Sequence, residues 1–159
     1  MSVLIRPMED RDAETVAGMV RGLAEHIGTE TVPKLTGEKL IAAHDLIDVM
    51  VAEDGSALIG ACLGLMTFST WRGERGLYIV DLFVTPEARG RNIGENLLRA
   101  SAARAARRGA RFIKLEVDET NSGAERFYAR LGFAKKTADR LHILEQDRMD
   151  EFIAMGEQA

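Results

Sequence analysis

Residues 77–98 read LYIVDLFVTPEARGRNIGENLL, and this stretch constrains the fold more than any other. Its first eight residues are mostly β-branched or aromatic, which suits a strand. Pro86 ends the extended run. From Asn92 to Arg108 the chain is rich in alanine and arginine, with Ile93, Leu97 and Leu98 among them, as a helix would be. A helix that begins directly behind a strand exposes first-turn amides that have no helical acceptor. Together with the helix dipole, those amides favour an anion. Gly90 and Gly94 carry no Cβ and let a bulky phosphate approach, and Asn92 tolerates a left-handed backbone. Arg89 and Arg91 add forked donors suited to phosphate oxygens. The junction reads as a pyrophosphate site; the alternative is a plain capped helix start with surface arginines. No G-x-x-x-x-G-K-[ST] occurs, and no G-x-G-x-x-G follows a strand.

The rest of the chain supplies the elements around this junction. A strand is expected in the segment SVLIR, closed by Pro7. Asp10 to Ile27 has helical spacing, with Val16, Val20, Leu23 and Ile27 on one stripe and Asp10 or Asp12 as its cap. Thr36 is placed to cap a second, shorter helix through His44. Leu46 to Glu53 is a strand, EDGS a hairpin turn, and ALIGACLGLMTF an alternating strand. Gly60 and Gly64 share one face of that strand and leave room for another backbone, a helix or a ligand. RFIKLEV is a further strand, NSGAERFYARL a helix ending at Gly132, GFAKK and RLHILEQ a closing hairpin, and Asp147 to Met155 a last helix. Hairpins come first and crossover helices later. The expected fold is a mixed α+β (α/β) domain over residues 1–159, with one mixed sheet of about seven strands flanked by helices.

A length of 159 residues suits one domain, and a net charge of −4 gives no reason to invoke nucleic acid. Cys62 is the only cysteine, so no internal disulfide exists and a reducing compartment fits. No apolar run is long enough for a membrane span, and MSVLIRPMED lacks the layout of a secretory signal. The expected location is the cytoplasm, with no membrane partner.

The segment VDLFVTPEARGRNIGENLL resembles the acetyl-CoA signature of the GNAT N-acetyltransferase superfamily, Q/R-x-x-G-x-G/A. Arg89 supplies its first position and Gly94 its last, and Asn92 stands where the pattern has glycine. NSGAERFYARLGF is similar to the family's later N…A…FY…LGF segment, and the order of elements agrees. The resemblance implies that the strand ending near Val84 splays from its neighbour. It implies that the pantetheine of acetyl-CoA pairs with Leu82, Phe83 and Val84, and that the pyrophosphate sits on Arg89, Gly90, Arg91, Asn92, Ile93, Gly94 and Glu95. Asn121, Phe127 and Tyr128 would lie along the pantetheine and thiol. Family members often form dimers, so a homodimer is expected.

Acetyl transfer from a thioester to an amine asks little of a protein. The amine must shed a proton, the oxyanion needs a donor such as a backbone N–H, and the departing thiolate takes up a proton. No metal is called for. Tyr128 holds the family's position for the thiolate's acid; on spacing alone it is a half-buried aromatic beside Phe127. Asp81 is the odd residue in LYIVDLFV, since a carboxylate in an apolar run is costly unless paired or functional. It reads either as a relay for the amine proton or a magnet for a cationic substrate, or as a structural carboxylate with a partner. Simple alternation puts Asp81 on the face opposite Leu82 and Val84, which opposes a catalytic role unless a bulge intervenes.

TFSTWRGERGLYIVDLFV looks most like the spermidine/spermine and thialysine N-acetyltransferase branch, with Trp71, Gly73, Tyr78 and Asp81 at matching places. That resemblance implies substrate contacts for Trp71, Tyr78 and Asp81. The branch carries a glutamate where Val80 stands, an aspartate at Ser69 and a tryptophan at Thr120. With two carboxylates missing, an amino acid or a diamine is as good a candidate for the small primary amine as a polyamine. The rival readings are a non-catalytic acyl-CoA sensor or subunit and a protein or peptide N-acetyltransferase.

His26, His44 and His142 have no metal-ligand spacing, and Cys62 reads as a buried small hydrophobe. Arg99, Arg104, Arg107, Arg108 and Arg111 read as a solvated face, with contact to an adenosine 3′-phosphate as the alternative. Trp71 reads as lining a substrate pocket or a dimer contact.

Overall fold

The structure is a computed structural model that describes residues 2–28 and 30–157. The side chains of His26, Ile27 and Glu157 lie outside the described part. The residues group into two compact units, Met1–Asp118 and Glu119–Ala159.

The first unit is built on a five-stranded sheet in the order β1-β2-β3-β4-β5. The strands are β1 (Leu4–Pro7), β2 (Asp48–Asp54), β3 (Ala57–Ser69), β4 (Glu74–Val84) and β5 (Ala110–Lys114). The first four pair antiparallel, and β4 pairs β5 in parallel. That one parallel pair is reached through α3 (Ile93–Arg107), as a crossover requires.

Side-chain alternation gives the sheet two faces. Val49, Val51, Ala61 and Leu63 point to one of them. There they form a single buried cluster with Ala13, Val16, Met19 and Val20 of α1 (Ala13–Ile27) and Leu40 of α2 (Gly37–Ala42). Of the stripe predicted for α1, Val16 and Val20 are buried and Leu23 is half-buried, while the side chain of Ile27 lies outside the described residues. On the opposite face Gly60 and Gly64 leave space. A Cβ on Gly60 would lie 2.8 Å from the Phe83 carbonyl oxygen and 3.0 Å from Leu97 Cδ1. A Cβ on Gly64 would lie 2.9 Å from Leu77 Cδ1. Of the three occupants allowed for that space, α3 and the neighbouring strand fill it. Leu97, Leu98 and Ile93 bury themselves there, and Leu97 is fully enclosed.

Asp12 stands at the N-cap position of α1 but makes no capping bond to it. Its carboxylate accepts from Arg6 Nη1 at 2.6 Å, from Arg6 Nη2 at 3.2 Å and from the Glu9 amide at 2.8 Å. Arg6 also donates to Glu53 Oε2 at 2.9 Å, so this guanidinium ties β1 and β2 to the start of α1. Thr36 caps α2 as expected, accepting from the Lys39 amide at 3.2 Å.

The second unit holds α4 (Ser122–Arg130) and α5 (Gln146–Glu157). Gly132 ends α4 with φ +96°, and the Phe133 amide donates back to the Tyr128 carbonyl at 3.0 Å. The closing hairpin predicted at GFAKK and RLHILEQ does not form, so the described residues contain five strands rather than about seven. The pattern of Leu141 and Ile143 specifies a face, not a partner. Both side chains are exposed, and a strand without a ladder has nothing to fix it. No helix among the described residues is long and apolar enough to cross a membrane.

Candidate active site

The ladder between β4 and β5 runs from Arg75↔Ala110 to Tyr78↔Lys114 and stops. Beyond Tyr78, β4 continues to Val84 with β3 on one side and, among the described residues, no ladder on the other. The strand edge from Ile79 to Val84 therefore offers unpaired backbone groups to an extended ligand, in the way a sheet edge accepts a peptide. This is the parting of strands that the family resemblance implies, and Leu82, Phe83 and Val84 lie along it.

β4 then leads into the phosphate-site candidates. A short 3-10 turn, Pro86–Ala88, is followed by Gly90 at φ +78° and Asn92 at φ +60°. Asn92 is the one non-glycine residue with positive φ among the described residues, which accounts for asparagine where the signature has glycine. The first α3 bond is donated by the Asn96 amide to the Asn92 carbonyl at 3.0 Å. The amides of Ile93 and Gly94 thus sit in a first turn that offers them no carbonyl. Arg89 Nε donates to the Val84 carbonyl at 3.3 Å, and Arg91 pairs with Asp54 at 2.9 Å. Both arginines rest against the protein beside the turn. Glu95 pairs with Arg99 one turn on, at 2.7 Å. Donors, left-handed turn and open edge suit a ligand with a diphosphate and an extended amide-bearing arm.

The register of β3 and β4 sets the face on which Asp81 lies. Leu63 pairs with Asp81, but Gly64 pairs with Ile79, so Val80 is an extra residue. A bulge intervenes. It resets the alternation so that Asp81 and Phe83 share the α1 face with Tyr78, whose partner is Leu65. Phe83 packs against the α1 cluster accordingly. Without the bulge Asp81 would point to the α3 side. Leu82 and Val84 still face away from Asp81, towards α3.

Asp81 is half-buried, and among the described residues its carboxylate has no hydrogen-bond or ion-pair partner. Burial pushes its pKa above the usual carboxylate range. Of the readings open for this residue, a structurally paired carboxylate is the one the structure does not support. Tyr78 stands on the same face. Burial first, and the Glu116 carboxylate second, raise the pKa of its hydroxyl; Asp81 adds a further push. Lys114 Nζ lies 5.3 Å from the Tyr78 ring centroid. Sequence reasoning passed over Glu116, although the alternation in FIKLEV already put Lys114 and Glu116 on one side. The bulge at Val80 had no such signal.

The other candidates fall elsewhere. Trp71 is fully exposed in the β3–β4 turn, and β4 separates it from Asp81 by roughly 20 Å or more at strand rise. The structure does not bring the two together. Arg104 is paired with Asp48 at 2.8 Å and Arg99 with Glu95, so two of these five arginines are committed to ion pairs. Arg107 and Arg108 lie at the far end of α3, roughly 20 Å from its first turn. A groove of about 420 Å³ lined by Arg75, Arg108 and Arg111 is at that far end, away from Asp81. Cys62 is buried and its thiol is pushed up to about 11 by burial, as befits an inert core residue. His44 and His142 are exposed, and the described residues hold no group that could ligate a metal.

Within the second unit, Asn121 caps α4 by accepting from the Ala124 amide at 3.0 Å. Tyr128 stacks edge-on against Phe127 at 5.0 Å and Phe133 at 5.3 Å between ring centroids. All three aromatic or polar candidates of this segment thus lie on or beside one short helix.

Residues 20–133 match the Acetyltransferase (GNAT) family. The thialysine N-epsilon-acetyltransferase of Sus scrofa is 32% identical over 143 residues, covering 82% of this chain and 84% of that one. The streptothricin acetyltransferase of Streptomyces lavendulae is 38% identical over 86 residues, 54% of this chain and 43% of its own. In fold, the chain is similar to an aminoglycoside acetyltransferase from an uncultured soil metagenomic sample, solved with sisomicin. That likeness has a TM-score of 0.75 at 16% identity, over 91% of this chain and 97% of that one. The family match spans more than half of the chain, and it covers the parted strands, the bulge and the glycine-containing turn. The chain belongs to the GNAT acetyltransferase family and is an acetyl-CoA-dependent N-acetyltransferase.

Proposed function

We propose that the enzyme acetylates a primary amine of a small molecule by direct attack in a ternary complex. The observation that carries this reading is Asp81: a carboxylate without a partner among the described residues, turned by a bulge onto the Tyr78 face where β4 and β5 part. An ammonium has no lone pair, so it must lose a proton before it attacks. Asp81 is suited to receive that proton, directly or through water, and its raised pKa brings it closer to the working pH. Val80 cannot do so, which leaves the carboxylate beside it as the candidate base. The amine nitrogen then attacks the thioester carbonyl, the C–S bond breaks, and Tyr128 gives its phenolic proton to the departing sulfur.

Acetyl-CoA is held along Leu82, Phe83 and Val84, with its diphosphate on the turn from Arg89 to Glu95 and its arm near Asn121 and Phe127. In this reading residues 1–159 make a single acetyltransferase domain, of which the family match covers residues 20–133. Tyr78 and Asp81 receive the acceptor. The named thialysine relative supports an amino acid-like or diamine acceptor. A cytoplasmic homodimer is the proposed setting. The test is a panel of amines with acetyl-CoA, followed by thiol release. Turnover should appear with small primary amines and fall in Tyr128→Phe while acetyl-CoA binding persists. Binding without turnover on any amine would favour the sensor reading instead.

A further inference from the structure

The arginines of the first unit are of two kinds. Arg6, Arg11, Arg21, Arg91, Arg99 and Arg104 each pair with a carboxylate. Among the described residues, Arg72, Arg75, Arg107, Arg108 and Arg111 pair with none. These five gather where α3 ends and where β4 and β5 begin. Carboxylates are not scarce in a chain of net charge −4. Arg75, Arg108 and Arg111 line one groove of about 420 Å³, together with the side chains of Phe68 and Glu74. Arg75 is the ladder partner of Phe68, so the two share a face. Its Nη1 donates to the Arg108 carbonyl at 3.0 Å, which holds the guanidinium in place. Arg75 pairs with Ala110 but Gly76 pairs with Phe112, so Arg111 is a surplus residue in β5. That bulge frees Arg111 from the strand alternation, and it lines the groove beside Arg75. Arg72 stands over the ring of the next residue, Phe112, at 4.8 Å from its centroid.

The negative end of the α3 dipole accounts for Arg107 and Arg108. It does not account for a bulge that brings Arg111 into the same groove. Unpaired like charges repel, and a ligand of opposite sign between them removes that cost. Three guanidiniums against the one carboxylate of Glu74 leave about two positive charges in the groove. A phosphomonoester carries about −1.5 to −2 at pH 7, and its oxygens suit the guanidinium forks. Phe68 is exposed and offers a flat apolar wall beside them. A groove of this size admits a small organic body as well as the phosphate. We propose that the groove binds a small phosphomonoester with an aromatic body, at a site separate from the turn at the start of α3. The length of α3, roughly 20 Å, lies between the two. This site is independent of the acetyltransferase chemistry.

Phenyl phosphate is the minimal probe, titrated by calorimetry into the full chain in the presence of saturating acetyl-CoA. It should bind one site per chain with a Kd of about 1 mM or tighter. Phenol and inorganic phosphate should each bind at least about tenfold more weakly, since each lacks one half of the match. Arg111→Gln should weaken phenyl phosphate by about tenfold, as loss of a charge-assisted contact predicts. Arg108→Gln should do the same from the other wall. Acetyl-CoA affinity should stay within about twofold in both variants, with native circular dichroism showing that they fold. No heat with phenyl phosphate, native affinity in both arginine variants, or displacement of phenyl phosphate by acetyl-CoA would overturn the proposal. Any of these leaves amine acetylation standing. An enzyme inert towards every amine, yet binding phenyl phosphate through Arg111, defeats the acetyltransferase reading and leaves this site in place.

Discussion

Replacing Asp12 with asparagine tests the frame that sets α1 against the Asp81 face. The side chain of Asp12 is 7% exposed and that of Arg6 is 13% exposed. Asparagine is nearly isosteric, so packing survives while the charge is lost. Its amide oxygen can take the Oδ2 place and accept from Arg6 Nη1 and the Glu9 amide, now at 2.6 and 2.8 Å, but its NH2 group then confronts Arg6 Nη2, now at 3.2 Å. Removing one partner of a buried ion pair costs about 3–5 kcal/mol, and an exposed pair is worth at most about 1 kcal/mol. Arg6 keeps Glu53 at 2.9 Å, which places the expected loss between these limits, at about 2–3 kcal/mol. With a urea dependence of about 2 kcal/mol/M, the unfolding midpoint should fall by about 1–1.5 M at pH 7. The hydrogen bonds from Arg6 hold the Asp12 carboxyl below its usual pKa. Its stabilisation is thus present above the unfolded carboxylate pKa and disappears as pH falls through the lowered folded value. The gap between native protein and variant should narrow on acidification below about pH 4. Urea unfolding followed by circular dichroism measures both effects. Equal midpoints at pH 7, or a gap that does not narrow in acid, would refute this assignment.

Asp81→Asn should lower kcat/KM by about 10²–10⁴-fold, the usual contribution of a positioned general base. In the native enzyme the rate should fall as pH drops through the raised Asp81 pKa, so the acid limb lies above the ordinary carboxylate range; the variant should lack that limb. The same substitution removes an unpaired half-buried charge, so its melting temperature should not fall, and a variant that keeps rate and limb would exclude Asp81 as base. Gly60→Ala should push the Phe83 carbonyl and Leu97 apart, costing about 1–3 kcal/mol. Differential scanning calorimetry should then show a melting temperature lower by about 3–10 °C, and an unchanged value would contradict the close approach.

Periodicity made most of the first unit legible before any coordinates. The Val16, Val20 stripe, the alternation in β3 and the apolar run of β4 each announce an element, because burial enforces a repeat of side chains. The glycine–arginine junction was equally legible, since the anion preference of a helix start needs no tertiary information. The bulge was not. One extra residue in LYIVDLFV leaves no mark on composition, and only pairing with Leu63 and Gly64 shows that Val80 is the surplus. Period-two counting alone would separate Tyr78 from Asp81. The hairpin at GFAKK and RLHILEQ failed for the opposite reason: the pattern was present and a partner strand was not. Arg6 drew no notice, because Glu9 and Asp12 beside it read as an ordinary acidic helix start, and its third acidic partner, Glu53, comes from β2, far along the chain.

The diphosphate cradle and the open edge of β4 can be tested by calorimetry with two ligands, acetyl-CoA and acetyl-pantetheine, which lacks the nucleotide and its diphosphate. Acetyl-CoA should bind with one site per chain, and acetyl-pantetheine at least about a hundredfold more weakly, as loss of several charge-assisted hydrogen bonds demands. No heat with acetyl-CoA, or equal affinity for the two, would show that the turn from Arg89 to Glu95 does not hold the cosubstrate.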